Sequence, residues 1–253
     1  MISSIAFGLF GLAVLISVAL AFSHQRKSVD WKQILAGVGL QVVFAVVVII
    51  VPGGREFFDA ISRVFVKIVD FALIGGQFIF GDLSNADEFG FIFAFQVLPT
   101  IIFFASLMGV LYHIGLMQKI VQGMAWVMLK VLRVSGSESL SVAAHVFIGQ
   151  TEAPLVVRPY IAKMTESELF TMMVGGMATI AGAVLAAYIA MLGGTDEAAR
   201  LFYARHLLAA SVMAAPATIV ISKLLRPETE ESLTKGTVHL EIEKTATNVI
   251  EAA

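Results

Sequence analysis

Six consecutive residues, Gly149-Gln150-Thr151-Glu152-Ala153-Pro154, hold the chain's most concentrated chemistry inside an otherwise apolar stretch. Gln150 offers a donor and an acceptor, Thr151 a hydroxyl and Glu152 a carboxylate, a set suited to reading a polar planar ring. Gly149 can end one helix in a left-handed conformation, and Pro154 suits the first turn of the next, where its missing N–H is not needed. Two helix ends then meet at one point. Free carbonyls closing the first can coordinate a cation, and free N–H groups opening the second attract acceptor atoms of a substrate. An ionisable Glu152 within a membrane segment marks a functional candidate by default. The alternative is structural pairing with Arg158.

Each half of the segment from Glu138 to Arg158 is too short to cross a bilayer, and both flanks carry cations. The economical reading is a re-entrant hairpin over 137–165 that enters from the cytoplasmic side, turns near mid-membrane and returns. Ser135 with Glu138, and Thr165 with Glu168, have the spacing of capping boxes for the first arm and for the next helix. Irregular backbone at that depth is tolerated only beside protein or a watery cavity, so the turn itself argues for a site.

The surrounding chain must then be a membrane scaffold. Of its 253 residues 58% are hydrophobic and 14% charged, against about one quarter charged in soluble domains. Uncharged runs long enough to span occur at 1–23, 33–54, 89–112, 169–195 and, more briefly, 207–222, which Tyr203 can extend. Arg26, Lys27 and Lys32 place the first loop inside. The acids at 82–88 lie outside; Lys119, Lys130 and Arg133 inside; Arg158 and Lys163 inside; Asp196 and Glu197 outside; Lys223 and Arg226 inside. The expectation is an all-α membrane protein with about five transmembrane helices, an external N-terminus and a location in the bacterial inner (plasma) membrane. The first run is no cleaved signal, having no basic segment before it.

Two stretches read as interfacial or linker helices. Over 55–80, Phe57, Phe58, Ile61, Phe65 and Ile68 recur at helical spacing opposite Arg55, Asp59, Ser62, Arg63 and Lys67, and 116–132 is similar. Gly37, Gly39, Gly175, Gly176 and Ala181-Gly182-Ala183 permit close helix approach. Pro99 and Pro216 should kink or unwind their spans. The acidic stretch 226–253 is too polar to cross and reads as a cytoplasmic linker. The expected division is 1–88 as scaffold spans with an interfacial helix; 89–192 as the third span, hairpin and following helix; 193–225 as the fifth span; and 226–253 as the linker.

A net charge of −2 offers no basic face for nucleic acid, and with no cysteine there is no disulfide or thiolate metal site. Enzymatic use of His145 and Glu152 is disfavoured because Gly149 breaks the helical register between them.

The run from Gly149 to Tyr160 resembles the first hairpin of the concentrative nucleoside transporters. Gly175-Gly176-Met177-Ala178-Thr179-Ile180-Ala181-Gly182 resembles the helix that follows it, and Ala209-Ala210-Ser211-Val212-Met213-Ala214-Ala215-Pro216 is also similar to that family. The resemblance implies nucleoside uptake driven by sodium or protons through a homotrimer, with no other cofactor. It puts the nucleobase against Gly149, Gln150, Thr151 and Glu152, with Val184 lining the pocket. It puts a sodium ion at position 145, the backbone of Ile148, Thr179 and Ile180. Two departures stand out. His145 occupies a place where similar sodium-coupled members carry Asn; a neutral imidazole can ligate a cation and can also carry a proton, so both couplings stay open. A second hairpin, which holds the ribose in that family, does not follow Ala253. The expectation is an incomplete symporter unable to transport alone, the alternative a nucleoside-sensing or gating module that works with a partner chain.

Overall fold

The computed structural model describes residues 2–90, 92–194, 196–236 and 248–252. Among them every regular element is a helix, apart from one isolated antiparallel bridge between Ser135 and Lys235. Helix α1 covers Ile2–Ala21 and α2 Trp31–Ile49. Asp30 opens α2 by accepting the amides of Lys32 (2.9 Å) and Gln33 (3.4 Å), the ordinary N-cap arrangement. Pro52, in the first turn of α3 (Pro52–Phe80), re-aims the chain after a short break.

By length and composition, five helical stretches are able to cross a bilayer: Trp31–Ile49, Pro52–Ser84, Phe93–His113, Glu166–Gly193 and Glu197–Leu225. The number agrees with the sequence reading; the membership does not. Helix α3, expected at the interface, is in the set, while α1 enters only as the shorter apolar helix Ala6–Ala21. Geometry qualifies what length alone suggests. Asp59 of α3 pairs with Arg205 at 3.0 Å and Asp70 with Arg200, both on a later helix, α13 (Glu197–Leu225). Eleven residues of α3, about 16 Å of axis, thus answer to five residues of α13, about 7.5 Å. Two ion pairs tie α3 to α13. The buried face of α3 is Phe58, Ser62, Val66, Val69, Ala72 and Gly76, with Arg55, Arg63 and Lys67 exposed.

After a short α4 (Ala86–Phe89), the span expected over 89–112 is two pieces, α5 (Phe93–Gln96) and α6 (Leu98–His113). Pro99 is the cause, since it has no N–H to return to the Phe95 carbonyl. The amphipathic stretch at 116–132 forms α7 (Leu116–Leu132), bounded by Gly115 at φ 83° and Arg133 at φ 54°. Its buried stripe is Met117, Val121, Ala125, Met128 and Leu132, and the last four pack into the core that also holds the hairpin.

That hairpin comprises α8 (Gly136–His145), α9 (Ala153–Val156) and α10 (Arg158–Ile161). The span expected over 169–195 is broken into α11 (Glu166–Ala178) and α12 (Gly182–Gly193). Helix α13 extends well beyond the expected 207–222 and carries Pro216 inside it. It is the axis against which α2, α3, α11 and α12 all pack. Gly37 of α2 lies so close to Val220 of α13 that a β-carbon there would collide with the valine side chain.

Candidate functional site

Ser135 caps the first arm by accepting the Glu138 amide at 3.2 Å, while Thr165 and Glu168 form a complete, reciprocal capping box at the start of α11. Only the Ser135 half of the first box is present, because the Glu138 carboxylate is drawn to Lys223 instead. Helix α8 is ten residues, every one buried. At 1.5 Å per residue it reaches about 15 Å, half of a bilayer core about 30 Å thick.

The arm does not end as expected. Gly149 is not among the left-handed residues of the described chain; the helix tightens out instead, with the Phe147 and Ile148 amides both donating to Ala144 at 3.0 Å. What Gly149 provides is space. The Glu152 carboxylate folds over it, and a β-carbon there would strike Oε2. The second arm is also less regular than a single helix: α9 and α10 are separate turns, divided at Val157, because Pro159 has no N–H to return to the Leu155 carbonyl.

At the tip, Gln150, Thr151 and Glu152 are exposed. Among the described residues their side chains have no hydrogen-bond or ion-pair partner, so the pairing of Glu152 with Arg158 is not formed. Three free polar groups therefore face outward from a buried support.

The tip is set against the break in the neighbouring span. Thr179 is extended (φ −112°, ψ 162°), and both its amide and its hydroxyl turn back to the Gly175 carbonyl, at 3.2 and 2.7 Å. Gly182, opening α12, donates its amide to the Phe147 carbonyl at 3.0 Å, and the Ser211 hydroxyl of α13 donates to the Val146 carbonyl at 3.2 Å. His145 is buried, with Nδ1 2.8 Å from the Ser141 carbonyl. Its ring lies on Gly175 and Gly176: a β-carbon on Gly175 would be 3.1 Å from Nδ1, one on Gly176 3.4 Å from Nε2 and 3.0 Å from the Gln150 β-carbon. The glycines marked for close packing are thus used for that, with the candidate site as the neighbour.

Of the expected ion ligands, His145, Ile148, Thr179 and Ile180 all lie at the junction of hairpin end and helix break. Among the described residues the Ile148 and Ile180 carbonyls accept no hydrogen bond, and free carbonyls with a hydroxyl suit a hard cation. The Ser141 carbonyl engages one imidazole nitrogen, leaving Nε2 as the group able to ligate or carry a proton. Val184, in the first turn of α12, is 37% exposed.

One group of residues was not foreseen. Lys223 and Glu138 form a buried ion pair at 2.7 Å, with side chains 5% and 1% exposed. In the sequence Lys223 counts as a loop charge and Glu138 as a cap. Nothing in either neighbourhood signals that they meet.

Residues 10–83 match a family model described as Na+ dependent nucleoside transporter N-terminus, and residues 94–195 one described as Nucleoside recognition. A Haemophilus influenzae protein called an uncharacterized transporter is 42% identical over 250 residues, 98% of this chain and 58% of that protein. Human sodium/nucleoside cotransporter 1 is 41% identical over 244 residues, 96% of this chain and 36% of that protein. The chain therefore spans less than two thirds of the length of these relatives. Among solved structures, CNTnw in an inward-facing substrate-bound state superposes with a TM-score of 0.86 at 41% identity, covering 98% of this chain and 57% of that one. Matched along nearly its whole length in both sequence and backbone path, this chain belongs to the concentrative nucleoside transporter family.

Proposed function

We propose that the chain serves ion-coupled nucleoside uptake and supplies one face of the nucleoside site. The observation that carries this reading is the hairpin tip, where Gln150, Thr151 and Glu152 are free and exposed while α8 beneath them is buried and the Phe147 carbonyl ties the hairpin end to the break between α11 and α12. Gln150 and Glu152 read donors and acceptors on the base edge, Thr151 adds a hydroxyl, Gly149 admits the Glu152 side chain, and Val184 closes the pocket with an apolar wall. The coupling cation, sodium or a proton, belongs at His145, the Ile148 and Ile180 carbonyls and Thr179, close enough to the tip for occupancy of one to bias the other.

In this reading residues 1–88 form a scaffold with α3 in the outer interface, supported by its exposed Arg63 and Lys67. Residues 89–192 carry the third span, hairpin and broken helix; 193–225 form the fifth span; and 226–253 are a cytoplasmic linker. The N-terminus is outside, in the bacterial inner membrane, and the assembly is the trimer expected of the family. The test is equilibrium binding of radiolabelled uridine to the purified chain in nanodiscs, in sodium and in choline. Displaceable binding that Gln150→Ala and Glu152→Gln both weaken supports the site. No binding, or binding indifferent to both substitutions, overturns it.

A further inference from the structure

At the foot of the hairpin, opposite the tip, the first turns of α8 and α11, the last turn of α13 and the segment 226–235 converge on one buried cation. Lys223 Nζ lies 2.7 Å from Glu138 Oε1 of α8, 2.8 Å from Ser167 Oγ of α11 and 3.4 Å from Glu228 Oε2 of the following segment. The ammonium donates hydrogen bonds to Ser167 and Glu228 and meets Glu138 as a close ion pair, so three pieces of chain share one charge. Glu228 in turn accepts from the Thr165 hydroxyl at 2.8 Å, and the Ser167 hydroxyl donates to the Arg226 carbonyl at 2.7 Å.

The same segment crosses the start of the hairpin. The Thr234 carbonyl accepts the Gly136 amide at 2.9 Å, and Thr234 Oγ1 accepts the Ser137 amide at 3.1 Å and lies 2.9 Å from Ser137 Oγ. These are first-turn amides, which have no partner within their own helix. Glu168 closes the ring by accepting from Ser232 Oγ at 2.5 Å and Ser137 Oγ at 3.3 Å. A polar cavity of about 200 Å³ opens beside the pair, lined in part by Asp30, Arg133, Glu230 and Lys235.

We infer that Lys223 is a positioning residue for the hairpin: its buried charge binds the foot of α8, the start of α11 and the segment 227–235 into one unit. That segment is a strap. Because α8 is buried along its whole length, it transmits the placement of its foot to His145 and the tip. Loss of the charge at Lys223 frees Glu138, Ser167 and Glu228 together, releases the strap from Gly136 and Ser137, and lets the hairpin tilt. The inference concerns how the hairpin is held and stands whether or not a nucleoside is the ligand at its tip.

The test uses the whole chain in nanodiscs, in Lys223→Arg and in the double variant Lys223→Met with Glu138→Met. The double variant removes both members of the fully buried pair, so neither is left charged without the other. Two readouts are taken: amide exchange at Gly136 and Ser137, and the mobility of a spin label on Thr151→Cys, a clean attachment point because the chain has no cysteine. Expected in the double variant, at unchanged helicity, are exchange faster by roughly five- to tenfold, as loss of one such contact gives, and a more mobile label. Lys223→Arg, which keeps the charge, stays close to wild type. Glu228→Gln, milder because that side chain is 29% exposed, shifts exchange in the same direction by less, and it decides the matter should the double variant misfold. Wild-type protection at Gly136 and Ser137 in these variants, or an unmoved label at the tip, overturns the inference.

Discussion

The amide of Gly182 donates to the carbonyl of Phe147 at 3.0 Å, so the broken span and the hairpin end are joined backbone to backbone. A β-carbon at Gly182 would stand 2.9 Å from that carbonyl oxygen and 3.2 Å from Met108 Cε. Backbone cannot yield as a flexible side chain does. Gly182→Ala is expected to cost about 1–3 kcal/mol, the range for overpacking, and Gly182→Val more, read as thermal unfolding in detergent. Wild-type melting of Gly182→Val would show that the contact is not maintained in solution.

Gly176 separates fold from site in the opposite way. Its absent β-carbon leaves 3.0 Å to the Gln150 β-carbon, a side chain at the tip. Gly176→Ala should therefore displace Gln150 while leaving the helices intact, lowering uridine affinity with little change in melting temperature. A variant that binds as wild type does would remove Gln150 from the contact set.

The tip residues should be nearly silent in stability, because their side chains are exposed and unpartnered among the described residues. Gln150→Ala, Thr151→Ala and Glu152→Gln are each expected to alter stability by less than about 0.5 kcal/mol. On the proposed site, Glu152→Gln is expected to lose a charge-assisted hydrogen bond to the base, about 1.5–3 kcal/mol or roughly 10- to 150-fold in affinity. Titration calorimetry with uridine checks the ratio between the variants.

His145→Asn discriminates the two couplings. Imidazole titrates in the physiological range, whereas an amide does not. With a proton carrier at this position, wild-type uridine affinity varies between about pH 5 and pH 8 and that of the Asn variant is flat. Equal pH profiles accompanied by equal sodium dependence would assign the coupling to the oxygen ligands around Ile148, Thr179 and Ile180.

Helix α3 can be placed by chemistry at two residues. Lys67 sits near the middle of Pro52–Phe80, so in a membrane-crossing α3 it would lie at the bilayer centre, where insertion scales charge about 2.5–3.5 kcal/mol for a lysine. In the outer interface both Arg63→Cys and Lys67→Cys react with an impermeant maleimide added to intact cells. Protection of the Lys67→Cys thiol alone would mean that α3 crosses.

The parts of this fold legible in the sequence were those whose cause is local. The Thr165–Glu168 box, the break at Pro99 and the bounds of α7 each follow from residues within one turn of the effect. The glycines announced close approach without saying to what. The interruption of the long span at Thr179 has no proline to announce it; it is stabilised from outside, by Phe147 on another segment. The same limit hid the pairing of Lys223 with Glu138, partners 85 positions apart whose meeting is decided by how α8 and α13 pack. At Gly149 the residue was legible and its use was not, since room for a carboxylate and a left-handed turn demand the same amino acid.

The interrupted span also constrains how the protein is made. Helices α11 and α12 have 13 and 12 residues, about 20 and 18 Å, and neither alone reaches across a core about 30 Å thick. Between them lie peptide groups that lipid will not hydrogen-bond. Phe147 precedes this stretch in the chain, so by the time Gly182 emerges from the ribosome its partner is already synthesised. The carbonyl that satisfies the Gly182 amide is therefore on hand as soon as the second half of the span is made, and the break can form without waiting for later segments.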